Sequence, residues 1–209
     1  MPSCFREVVD VVEEVARVAD YADRLGKYMG AFMAAVNFFV WGMAITGYWL
    51  VVTFIGPRGF EWTWAAVVMM VVAAFMVYLL LRITPKPARR EVLPHEGFRW
   101  VLSFALPFMV IYLLPMPSAF DATLDWFLAL GIAMLAVHLT VEREYVKRGF
   151  QVERPFLVCG VSMVASSPVL AYATLIKGFE AWPLSLGLLL LIYCGTGVYC
   201  VNKAWKLFF

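Results

Sequence analysis

A chain of 209 residues with a mean hydropathy of +0.81, 63% hydrophobic and 15% charged residues carries more apolar surface than a soluble domain of its size can cover. Its formal net charge of +2 gives no basis for binding nucleic acid or an acidic soluble partner. Four cysteines without a Cys-x-x-Cys pair point to neither a thioredoxin-like motif nor a zinc site.

The composition instead predicts an all-α integral membrane protein, because a helix satisfies its own backbone and needs about 20 apolar residues to cross the hydrocarbon core. Six runs reach or approach that length, at 29–54, 62–83, 100–115, 124–141, 156–176 and 182–201. They predict a six-helix bundle of three helical hairpins, preceded by an amphipathic helix at 1–28 and followed by a short tail at 204–209.

In the first segment, Phe5, Val8, Val12, Val15, Ala19, Ala22 and Met29 follow a 3,4 spacing, while Arg6, Glu7, Asp10, Glu13, Arg17, Asp20, Arg24 and Lys27 fill the opposite face. No short apolar core with a cleavage site occurs here, so the first span is expected to be a retained anchor rather than a signal peptide. Helices that lie on lipid carry mainly Lys and Arg on their polar face, but this one has six acids against four bases. The balance favours burial under the bundle or against another protein chain over lying flat on the membrane. Val8, Val12 and Val15 are the candidate docking residues.

Within the first span, Ala31 and Ala35, with Gly30 and Ala34, have the small-xxx-small spacing of close helix contacts. Asn37, about two turns in, suits an interhelical hydrogen bond or a ligand, and Gly47 is a weak point in the helix. The loop 84–97 holds Pro85, Pro87 and Pro94 beside Arg89 and Arg90, which predicts a stiff, extended segment that anchors the spans or docks a partner.

Pro107 interrupts the third span. Asp125 and His138 lie about one turn from either end of the fourth, where both could reach the interface. His138 suits proton exchange, and with His95 in a loop one chain cannot build a bis-histidine haem site. The segment 142–154 is expected to prolong the fourth helix beyond the lipid. Ser166-Ser167-Pro168 interrupts the fifth span. Cys159 and Cys200 fall at similar depth, either as a bonded pair or as small buried residues.

Three turns resemble one another, at Gly59-Phe60-Glu61, Ala119-Phe120-Asp121 and Gly178-Phe179-Glu180, which suggests either a repeat of about 60 residues or the ordinary chemistry of span ends. With Asp125, their acids could also form a cation-attracting rim. Of the 17 Lys and Arg residues all but Arg58 and Lys177 fall on the side holding both chain ends, which predicts cytoplasmic termini in a cell-membrane protein. The presence of only one glutamine (Gln151) and two asparagines (Asn37, Asn202) suggests a thermophilic source.

No metal cluster, phosphate-cradling loop or nucleophile motif is found, so no cofactor or metal and no enzymatic activity is expected. Helix breaks at matching depth point to a transporter's midplane site. The leading expectation is a small transporter or transporter subunit for a neutral or weakly charged solute, with Asn37, Gly47, Pro107, His138, Ser166, Ser167 and Pro168 as candidate site residues. The rival is a non-catalytic membrane subunit that docks partners through the N-terminal helix and the basic loops. The expected partners are the lipid bilayer, a membrane or cytoplasmic protein, or a second copy of the chain.

Overall fold

The computed structural model describes residues 2–55, 71–72, 74–75, 78–79, 82 and 93–207, without the side chains of 2–10, 50–55 and 122. Most of the described residues are helical and none of them is in a strand. Four stretches are long and apolar enough to cross a membrane, at Val11–Trp49, Glu96–Leu113, Thr123–Lys147 and Pro155–Trp205. Most of the expected second span (62–83), with Arg89 and Arg90, lies outside the described residues.

Helix α1 (Pro2–Ile55) is one unbroken element of 54 residues, about 81 Å long at the standard rise. The expected N-terminal helix and first span are therefore a single helix. The sequence explains the continuity, since no proline lies between Pro2 and Pro57. Three acid–base pairs also stitch the polar face at i,i+4, each with the acid N-terminal to the base: Glu13–Arg17 at 2.6 Å, Asp20–Arg24 at 2.9 Å and Asp23–Lys27 at 2.6 Å.

Residues 11–25 are exposed at every position, so this half of α1 does not pack under the bundle. Further along, Ala31, Ala35, Phe38, Gly42 and Thr46 are buried on one face. That face meets the last helix.

Helix α2 (Glu96–Leu113) starts after Pro94 and stops before Pro115, and holds Pro107 in its interior. The next stretch, α3 (118–147), is continuous but not uniform. Its α-helical centre, Trp126–Val137, is flanked by wider π-helical turns at Asp121–Asp125 and His138–Glu142, and Arg143–Lys147 extends it. The expected prolongation through 142–154 is present only as far as Lys147, after which the chain leaves the helix.

Helices α4 (Pro155–Lys177) and α5 (Trp182–Trp205) are separated by one 3-10 turn. Gly178 opens that turn at φ 57°, ψ −131°, a conformation that a side chain would strain. The described turn at 119–121, by contrast, is helical after Pro117.

The helices pack in the order α1, α5, α4, α3, α2. Neighbours run antiparallel. Along α1 and α5, Trp49 meets Trp182 with ring centroids 5.2 Å apart, Phe38 meets Tyr193 at 5.3 Å, and Phe39 lies against Gly197. Along α4 and α5, the Arg154 N–H donates to Tyr199 Oη at 3.4 Å. Along α2 and α3, Ser103 and Thr140 share a hydroxyl hydrogen bond of 2.9 Å, and Arg99 donates to the Thr140 carbonyl at 3.0 Å.

Small residues set the closest crossings. A Cβ on Gly160 would meet the Gly131 carbonyl at 2.9 Å and the Leu135 side chain at 2.8 Å, so α3 and α4 approach as only glycine allows. The core is centred on Phe38, Phe127, Met134, Met163, Leu189 and Tyr193, drawn from four helices. Cys159 and Cys200 are both buried free thiols, so the pairing considered from sequence is not formed and the small-apolar alternative describes them.

Candidate functional site

The densest polar arrangement among the described residues lies where the end of α3 meets the start of α4. His138 and Glu142 open and close the second π turn, and His138 Nδ1 lies 2.6 Å from Glu142 Oε2. The same carboxylate reaches across to α4, accepting from the Phe156 N–H (3.0 Å) and the Leu157 N–H (3.3 Å). Those amides belong to the first turn of α4, whose own N-cap residue, Arg154, supplies no side-chain cap. Glu142 thus caps a helix other than its own, in line with that helix's dipole. It is only 2% exposed, so the cap, the His138 hydrogen bond and the helix junction are one buried unit.

Glu153 lies beside this unit and is 3% exposed. Burial pushes its carboxyl above the ordinary range, with the Glu142 charge adding to the effect, against the hydrogen bond from the Val152 N–H. On the outer side of the junction is a concavity of about 300 Å³ lined by His138, Arg143, Val146, Lys147 and Arg154. π turns are uncommon and recur at functional sites, and this one carries a histidine, a capping acid and a basic rim.

The first π turn places a second ionisable group inside. Asp125 is 1% exposed, and neither carboxylate oxygen has a hydrogen-bond partner. Both Asp125 and His138 lie in π turns and are buried against neighbouring helices, and His138 also lines the concavity. A buried carboxyl group in an apolar segment is costly, which makes Asp125 a candidate position.

The residues singled out at the helix breaks do not converge. Ser166 Oγ donates to the Ser162 and Met163 carbonyls at 2.8 and 3.0 Å, and Ser167 Oγ to Met163 at 2.9 Å. Both hydroxyls therefore satisfy their own helix just before Pro168, which is exposed. Pro107 lines an apolar groove of about 410 Å³ between α2 and α3, with Leu106, Val110, Ile132, Ala136 and Thr140. Its lining is almost entirely hydrocarbon.

Asn37 and Gly47 lie in α1, half-buried. The Asn37 carbonyl oxygen and Thr46 Oγ1, about two and a half turns apart, are buried without partners among the described residues. Val12 and Val15 are exposed on the projecting half of α1, and Val8 shares that helix, its side chain outside the described set. Of the sequence-selected residues only His138 belongs to the polar junction.

Sequence reasoning missed Glu142 and Glu153. Glu142 had a visible signal, its i+4 spacing from His138, but it read as part of a basic loop. Among the described residues no group of three or more His, Cys, Asp or Glu is arranged to hold a metal. No family model, curated protein or solved structure matches this chain.

Proposed function

We propose that the chain is a six-span protein of the cell membrane, built as three helical hairpins with both termini cytoplasmic, that acts as a non-catalytic subunit docking a partner through the projecting half of α1. One observation carries this reading. Val11, Val12, Val15 and Val18 are each about 60% exposed along a stripe, whereas the charges opposite are paired within the same helix. An apolar stripe without a cover on a helix standing clear of its own bundle suits an apolar face of another protein helix. The antiparallel pairs α2–α3 and α4–α5 support the hairpin arrangement, and the sparse amides support a hot-environment source.

The test is extraction at native abundance with the triple variant Val11→Glu, Val15→Glu, Val18→Glu alongside the natural chain. A protein complex that is lost in the variant, while the bundle keeps its unfolding transition, upholds the reading. A natural chain that extracts as a lone particle sinks it, and a complex of identical copies assigns the stripe to a homo-oligomer.

The second reading, a small transporter for a neutral or weakly charged solute, is supported by one different observation. Asp125 and the His138–Glu142 pair are buried in the two π turns of one helix, roughly 20 Å apart along its axis. Its check is solute flux in reconstituted vesicles with Asp125→Asn and His138→Asn. Flux that neither substitution alters would remove that support.

A further inference from the structure

The concavity at the α3–α4 junction has a charge pattern that neither reading uses. Three cations, Arg143, Lys147 and Arg154, surround it, and His138 forms part of its wall. The acids nearby are committed elsewhere, Glu153 being buried beside the junction where it accepts from the Val152 N–H at 3.3 Å. Glu142 is turned inward onto His138 and the first turn of α4. Glu144 reaches Lys147 at 3.4 Å, on an exposed rim. Among the described residues Arg143 and Arg154 have no ion pair.

His138 adds direction to this charge. Because Nδ1 faces Glu142, Nε2 is the ring's remaining polar atom. The helices hold the arrangement in place, since His138, Arg143 and Lys147 sit on consecutive turns of α3 and Arg154 is the residue just before α4.

We propose that the concavity bounded by His138, Arg143, Val146, Lys147 and Arg154 is a binding site for an anionic phosphate group. Two guanidinium forks and an ammonium approaching from different elements match a tetrahedral cluster of oxygens better than a planar carboxylate. A volume of about 300 Å³ lies at the small end of ligand clefts, which suits a headgroup or a free anion and not a large solute. The site also falls just past the apolar run 124–141 and just before 156–176, the level at which lipid phosphates lie. The proposal rests on the chain's membrane character and not on either reading above.

The experiment is native mass spectrometry of the whole chain in detergent with short-chain phosphatidylglycerol, phosphatidylcholine of the same chain length, and inorganic phosphate. The natural chain is expected to retain phosphatidylglycerol over phosphatidylcholine by about 10- to 30-fold, and Arg143→Gln with Arg154→Gln to abolish that preference. Lys177→Gln, at the far end of α4, serves as the control that leaves it intact. If the double variant fails to fold, Lys147→Glu, on the exposed rim, is expected to lower the preference several-fold by opposing charge.

Displacement of the lipid by inorganic phosphate would uphold the site with the phosphate alone as ligand. Retention of the lipid against inorganic phosphate would uphold it with the lipid form as ligand. Equal retention of the two lipids by the natural chain, or an unchanged preference in folded variants, would overturn the proposal.

Discussion

The projecting half of α1 and the α3–α4 junction both carry acids and bases, yet they use them in opposite ways. In α1 the pairs Glu13–Arg17 and Asp20–Arg24 lie in water on one helix, and each connects residues already joined by the backbone. At the junction one buried carboxylate ties His138 to the amides of a different helix. The first arrangement supports local helicity and leaves an apolar stripe open. The second fixes where two spans meet. Identical residue types thus differ in consequence because one set is solvated and the other is not.

The largest effect should come from Glu142→Ala. It leaves the Phe156 and Leu157 amides and His138 without their acceptor in a buried place, at about 1–3 kcal/mol for each group left unsatisfied. Denaturant unfolding in detergent would read it, and an unchanged midpoint would dissolve the contrast between the two regions. Gly160→Leu tests the same junction through packing. Its side chain would drive α3 and α4 apart at a crossing with no free space, at a cost of about 1–3 kcal/mol by the same assay.

Glu153 offers a pH signature. Its folded carboxyl is raised by burial, so its neutral form is the one that suits the fold. The associated stability is present below the ordinary glutamate range and is lost as pH rises through the higher folded value. Glu153→Gln should therefore flatten the fall in melting temperature as pH rises from the ordinary glutamate range. Natural and variant curves that decline in parallel would contradict the assignment.

The smallest effect belongs to α1. Breaking the Glu13–Arg17 pair with Glu13→Gln should change bundle stability by no more than about 0.5 kcal/mol. A larger loss in the unfolding assay would mean that the projecting half carries more of the fold than its exposure implies.

How much of this was legible in the sequence depended on whether the deciding contact was local. The 3,4 spacing from Val8 to Met29 and the apolar runs are local patterns, and those within the described residues return as helices. Continuity through residues 25–33 could be read from the absence of proline, but the division into an amphipathic helix and a span hid it. Ser166, Ser167 and Pro168 read as a break, yet α4 runs unbroken through all three. Their hydroxyls, however, turn back on carbonyls one turn earlier, which composition cannot distinguish from a ligand site.

Glu142 was illegible as a cap because its acceptor role belongs to residues 14 and 15 positions later, across a turn whose geometry no spacing rule sets. Asp125 shows the same limit. Its distance from the span end allowed exposure, and the wider turn decided against it.

That wider turn has a further consequence. A π turn accommodates one residue more than the α-helix around it, so it works as an insertion absorbed without leaving the helix. Residues beyond His138–Glu142 are displaced in phase by roughly 100° relative to an α-helix drawn straight through Trp126–Val137. Arg143, which faces the basic concavity, and Tyr145, which donates to the Glu96 carboxylate, owe their directions to that offset. The length of α3, counted to the single residue, therefore sets which partners its last two turns can meet. A chain one residue shorter there would keep its apolar composition and lose its aim.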